Sequence, residues 1–199
     1  KEAAAISAMA HKWGDFLTSA LSGQPDAARR ALEKGADVDE AEHGTGCTAL
    51  YLASSAGHID IVNMLLENGA KVDLASKTRF SPLHIAAQNG HLAVVRRLLE
   101  GGASVVAKTK RGESALHLAS ANGHVNVIRL LIEAGADPNS SSQSAHTPLH
   151  VAALYGQLDA MQALYDQGAS LSAVTLAGES PLDLARSHGK RRAARLLAL

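Results

Sequence analysis

The chain has 199 residues, room for one ordinary domain or a short stack of repeats. Hydrophobic residues make up 46% of it but aromatic ones only 3%, so the core must be built from Ala, Leu, Ile and Val. Its 19 basic and 19 acidic side chains cancel, which removes any global field for nucleic acid or an anionic membrane, and its single cysteine, Cys47, excludes an intrachain disulfide framework or a cysteine-based zinc cluster.

No apolar run approaches the ~20 residues of a membrane span, and no signal peptide is visible. The expectation is a cytoplasmic or nuclear chain without membrane insertion, compatible with the lone thiol of a reducing compartment. A tetrapeptide of the form Ser/Thr-small-Leu-polar organises most of the chain. It occurs as Thr48-Ala49-Leu50-Tyr51, Ser81-Pro82-Leu83-His84, Ser114-Ala115-Leu116-His117, Thr147-Pro148-Leu149-His150 and Ser180-Pro181-Leu182-Asp183, in steps of 33. A fixed period of that size predicts a stack of identical units, since one unit alone cannot bury its apolar face.

In chain order, residues 1–13 are alanine-rich and predict a helical extension with Trp13 as its anchor. Residues 14–47 form a degenerate first copy, in which Gly14-Asp15-Phe16-Leu17 replaces the tetrapeptide, although Gly35-Ala36-Asp37-Val38-Asp39 keeps the helix-ending motif. The distance from Gly35 to Thr48 places one extra residue in the turn among Glu40 to Cys47. Full copies occupy 48–80, 81–113, 114–146 and 147–179, and 180–199 is a closing copy without a projecting turn.

The copy 81–113 shows the plan. Ser81 can cap a helix with Pro82 in its first turn, where a missing N–H does no harm. That short helix ends at Gly90. A second runs from about His91 to Glu100 with Leu92, Val94, Val95, Leu98 and Leu99 at helical spacing, and stops at Gly101-Gly102. Residues 103–113 then form an extended turn. Small residues at Ala53, Ala86-Ala87, Ala119 and Ala152-Ala153 let neighbouring first helices approach closely.

Ser81-Pro82-Leu83-His84-Ile85-Ala86-Ala87, then Gly90-His91 and Leu98-Leu99-Glu100-Gly101-Gly102-Ala103, resembles the ankyrin repeat, with five motif copies in register over residues 14–199. The resemblance implies an all-α solenoid of stacked helix–turn–helix units with projecting β-hairpin-like turns. It also implies a non-catalytic, monomeric interaction module, binding a protein or peptide through its concave face and projecting turns. The motif histidines would then bridge layers by hydrogen bonds. Departures from the pattern are Ser104-Val105-Val106, where the family more often has Asp-Val-Asn and a polar bracing residue, and Tyr155-Gly156-Gln157 in the fifth copy, where other copies have Gly-His.

Ten histidines invite a metal reading, but His84, His117 and His150 share one slot of the repeat, and His58, His91 and His124 another. Residues one repeat apart sit about 10 Å apart, too far for two ligands of one zinc ion. No cofactor is expected, and no nucleophile elbow, Walker loop, dinucleotide fingerprint or HExxH motif is present. Cys47 lies in a turn, where an exposed thiol near His43 and His58 offers the only nucleophile to weigh. The basic run Lys190, Arg191, Arg192 and Arg195 reads as the polar face of a terminal repeat.

Positions that fail to repeat are the candidate contacts. Lys77, Arg79, Lys108, Lys110 and Arg111 fall on two turns expected to form one basic patch. Phe80 and Tyr155 are expected to offer exposed aromatic surface, and Gln88, Asn89 and Asn122 to offer amides between them. With Glu113, His146 and Leu154 they predict a groove for an extended or partly helical peptide carrying acidic residues. The alternatives are nucleic-acid or other anionic-ligand binding through the basic turns, which neutral charge and few aromatics disfavour, and a regulatory domain of a larger enzyme.

Overall fold

Residues 14 to 198 are described by the structure, a computed structural model, and twelve helices and no strand form among them. The helical extension expected over residues 1–13, with Trp13, lies outside the described residues. Contacts divide the chain into two compact units, Lys1–Ala86 with Ala93–Ser104, and Ala87–Leu92 with Val105–Leu199.

In the first unit, α1 (Asp15–Ser22) and α2 (Pro25–Glu33) form one antiparallel pair, α3 (Ala49–Ala56) and α4 (Ile59–Glu67) the next; α1 packs on α3 and α2 on α4. The helices α5 (Pro82–Asn89) and α6 (Leu92–Glu100) come after them in the chain. In the second unit come α7 (Ala115–Asn122) with α8 (Val125–Glu133), α9 (Pro148–Tyr155) with α10 (Leu158–Asp166), and α11 (Pro181–Ser187) with α12 (Arg191–Leu197). First helices pack on first helices, α7 on α9 on α11, and second on second, α8 on α10 on α12. Each unit is thus a stack of helix–turn–helix layers.

The tetrapeptide acts at the helix starts. Thr48 Oγ1 accepts from the Tyr51 N–H at 3.2 Å. In α9, Thr147 Oγ1 accepts from the His150 N–H while His150 Nδ1 accepts from the Thr147 N–H at 3.2 Å. Ser114 with His117 and Ser180 with Asp183 repeat this reciprocal box. The degenerate first copy opens on Gly14, which has no side chain to cap with. Leu50, Leu65, Leu116, Ile128, Leu131, Leu149 and Leu164 are at most 1% exposed, and Ala53, Ala119, Ala152 and Ala153 are fully buried. The small residues on first helices allow their close approach, while the branched ones fill the space between layers.

The projecting segments are tight loops, each closed across its base by a backbone hydrogen bond. Ser76, Thr109, Ser142 and Thr175 each donate their N–H to the carbonyl four residues on, at Phe80, Glu113, His146 and Glu179. In the first loop, Glu42 donates to Cys47, five residues on, so the extra residue expected among Glu40 to Cys47 is present. There the buried Glu42 carboxylate takes over the loop's bracing. It accepts from the Gly44 N–H at 2.8 Å and from Thr45 Oγ1 at 2.7 Å.

Candidate functional site

The repeated polar residues are committed to the stack. Within the second unit, His117 Nδ1 accepts from Ser114 Oγ at 2.8 Å, and its Nε2 donates to the His146 carbonyl in the next layer at 3.0 Å. His150 repeats this with Thr147 and the Glu179 carbonyl at 3.1 Å. Burial holds the His117 pKa down at about 4 and lowers that of His150, so both rings stay neutral near pH 7. The layer-bridging role implied by the ankyrin resemblance is what these rings perform. Among the described residues no group of His, Cys, Asp and Glu is arranged to hold a metal ion.

The turn between paired helices carries a second bridge. His58 Nε2 meets the Leu21 carbonyl at 3.1 Å, and His124 Nε2 the Gln88 carbonyl at 3.0 Å. Gln157 stands in the histidine slot of the fifth copy and donates Nε2–H to the Ala121 carbonyl at 3.0 Å, so this departure keeps the bond. Each bridge rests on the glycine ending the previous first helix: a Cβ on Gly90 would lie 2.6 Å from the His124 ring, and one on Gly123 2.7 Å from Gln157 Oε1. Lys190 occupies the same slot of the last copy, its stem against Gly156, and is a layer contact as well as a surface charge.

Three candidate residues lie in the first unit. Lys77 Nζ donates to the His43 carbonyl at 2.5 Å, and its N–H to the Thr45 carbonyl at 2.8 Å, so this lysine ties one loop to the previous one. Arg79 is exposed and sits at φ +63°. Phe80 is half-buried, contrary to the exposed side chain expected of it; its ring lies 5.9 Å from that of the buried His84, against which it packs. Cys47, expected exposed, is buried at 8%, and burial pushes its thiol pKa up, the opposite of what a nucleophile needs.

The remaining candidates lie in the second unit. Gln88 is half-buried and Asn89 exposed at the end of α5. Lys110 and Arg111 are exposed at a loop tip, with Glu113 half-buried behind them. Lys108, counted with the basic turns, donates Nζ to the Ser141 carbonyl at 2.6 Å and braces its neighbour as Lys77 does. The exposed Asn122 turns its amide back onto its own helix, to the Leu118 carbonyl at 3.0 Å. His146 is half-buried, with Nδ1 2.9 Å from Ser144 Oγ and its ring edge-on to His150 at 5.9 Å. Leu154 is half-buried and Tyr155 56% exposed at the end of α9.

Two apolar side chains of this surface were not among the candidates: Val174 at 55% exposed and Leu176 at 79%. The signal was present, since Leu176 shares one slot of the repeat with Lys77, Lys110 and Gln143. Val106 is exposed at 67% for another reason. In the slot of Val106, Asp73 and Asn139 accept the N–H of Ser104 and Ser170 across to the next layer, at 3.1 and 2.8 Å. Valine has no acceptor, so the bracing bond expected to be lost there has no side chain to make it.

The family described as "Ankyrin repeats (3 copies)" matches residues 15–76 and 71–142, and "Ankyrin repeats (many copies)" matches 131–185. The chain is also 43% identical over 54 residues to the 2-5A-dependent ribonuclease of Mus musculus, a stretch that covers 27% of this chain and 7% of that protein. The match is too short to carry that protein's activity across. Ankyrin repeats are generally protein–protein interaction modules without catalysis of their own. With the repeat, its caps and its layer bridges all in register, the chain belongs to the ankyrin-repeat family.

Proposed function

We propose that this chain is a non-catalytic binding module that holds a protein or peptide partner carrying acidic residues, through its loop tips and the adjoining ends of its first helices. The observation that carries the reading is the division of labour among polar side chains. Those that repeat are hydrogen-bonded between layers, whereas Lys110, Arg111, Tyr155 and Arg79 are exposed and free of any such duty. Lys77 and Lys108 leave this set because their ammonium groups brace neighbouring loops. Phe80 contributes at most the exposed part of a ring packed on His84. Membership in a family of interaction modules supports the class of function, and a cytoplasmic or nuclear setting is compatible with one buried free thiol.

No helix among the described residues is long and apolar enough to cross a membrane. The test is affinity capture from a cell extract with the natural chain beside a Lys110→Glu, Arg111→Glu, Tyr155→Ser variant, both checked for the same helical circular dichroism. Loss of specific proteins from the variant supports the reading. An identical set of captured proteins contradicts it, and capture of nucleic acid with steep salt dependence would replace it.

A further inference from the structure

Three consecutive loops of the second unit are held tip to tip by the backbone. The Gln143 N–H donates to the Arg111 carbonyl at 2.9 Å, and the Leu176 N–H to the Ser144 carbonyl at 3.2 Å. Side chains on these tips therefore stand in fixed register, one repeat step apart. Their chemistry changes steadily along the row. The first tip is cationic, with Lys110 and Arg111 exposed and, among the described residues, no carboxylate within ion-pair distance of either. The middle tip is polar, with Gln143 and Ser144 exposed. The last is apolar: Val174 is 55% exposed and Leu176, at 79%, is the most exposed large hydrophobic residue described.

A projecting turn gains nothing in stability from an aliphatic side chain standing in water, and the three preceding copies place Lys77, Lys110 and Gln143 in the slot of Leu176. A charged end and an apolar end on one rigid row together fit a linear ligand with the complementary order. We infer that this row binds an extended peptide segment that places an acidic residue on Lys110 and Arg111 and an aliphatic or aromatic residue on Val174 and Leu176. This rests on the interaction-module reading and specifies its partner.

The spacing comes from the repeat. Two layer steps of about 10 Å separate the ends of the row, and an extended chain rises ~3.3 Å per residue. The acidic and apolar residues of the partner are therefore about six positions apart. A helix fits the row less well, because the polar middle tip gives a continuous apolar helix face nothing to bury. The exposed cations attract the acidic end through a field that salt screens, whereas the apolar end contributes by losing water, which salt does not weaken.

The experiment selects from a random 14-residue peptide display library on the full chain, then measures the enriched peptides as synthetic molecules. The expected result is enrichment of Asp or Glu six or seven positions from Leu, Ile, Val, Phe or Tyr. Affinity should fall at least ten-fold on Lys110→Ser with Arg111→Ser, and separately on Leu176→Ser, while Leu176→Met keeps it. Inserting three residues between the two anchors of the peptide should also weaken it at least ten-fold. Enriched peptides without that spacing, or binding indifferent to Leu176→Ser, would overturn the inference. So would a library with no enriched peptide, or self-association of the chain that Leu176→Ser abolishes, which would make a second copy the occupant. Peptides that bind but are lost on Tyr155→Ser instead would overturn this row while leaving the interaction-module reading standing; that reading is judged by the captured proteins.

Discussion

Arg79 and Ala145 stand in a left-handed backbone conformation, φ +63° and +59°, at the loop slot where Gly46, Gly112 and Gly178 stand at +73° to +77°. A Cβ in that region costs on the order of 1 kcal/mol. Ala145→Gly is therefore expected to stabilise the chain by about 0.5 kcal/mol in urea unfolding, the relief of strain being offset in part by the flexibility of glycine in the unfolded chain. Gly112→Ala should do the opposite and cost more, about 2 kcal/mol, because its Cβ would lie 2.8 Å from the backbone nitrogen of Gln143. Equal effects of the two substitutions would contradict this account of the slot.

The motif histidines give the chain a defined acid sensitivity. An unfolded histidine takes up its proton near pH 6.5, whereas folded His117 does so only near 4, and His150 is shifted the same way by burial. Between those values the unfolded chain binds more protons than the folded one, so stability falls as pH drops through that window and is full above it. For His117 the loss reaches on the order of 3 kcal/mol. The chain's urea midpoint should fall between pH 7 and pH 4.5, and the fall should be smaller in a His117→Gln variant.

At the scale of the element, the helix starts and stops were legible because each uses chemistry confined to a few consecutive residues. Ser/Thr with a polar residue three positions later gave the caps, and a period of 33 gave their register. The bracing turns were legible only in part. The missing acceptor at Val106 could be read from Asp73 and Asn139 in the same slot, and its consequence can be measured. Val106→Asn would supply an acceptor for the Asp137 N–H, as Asn139 does for Ser170, and should raise stability by about 0.5–1 kcal/mol; no gain would mean that the bond is not available in that layer.

What the sequence could not show is how long, flexible side chains spend their donors. Lys77 and Lys110 share one slot of the repeat, yet the ammonium of Lys77 reaches a carbonyl of the preceding loop, as that of Lys108 reaches one of the following loop, and Lys110 stands exposed at its tip. Nor does Phe80 announce that its ring rests on His84. The lysine contacts depend on a few ångströms between neighbouring loops, whereas the Phe80–His84 contact is local, four residues apart, and recurs at the same positions as His146 on His150. Gln157 is the reverse case: it departs from Gly-His in name, but its amide reaches the Ala121 carbonyl as the histidine ring of another copy reaches its own.

At the scale of the whole molecule, the proposed function divides stability and binding between different residues of the same repeat. Positions that recur are buried or bridge layers, and positions that vary stand on the loop tips. The most direct measurement of that division is urea unfolding of two variants beside the natural chain. A Lys110→Ser, Arg111→Ser, Leu176→Ser variant should keep the unfolding free energy within about 0.5 kcal/mol, as exposed substitutions do. Leu116→Ala, which empties a fully buried site between layers, should lower it by about 2–5 kcal/mol. A loop-tip variant destabilised as much as Leu116→Ala would contradict the account, because those side chains would then belong to the stack.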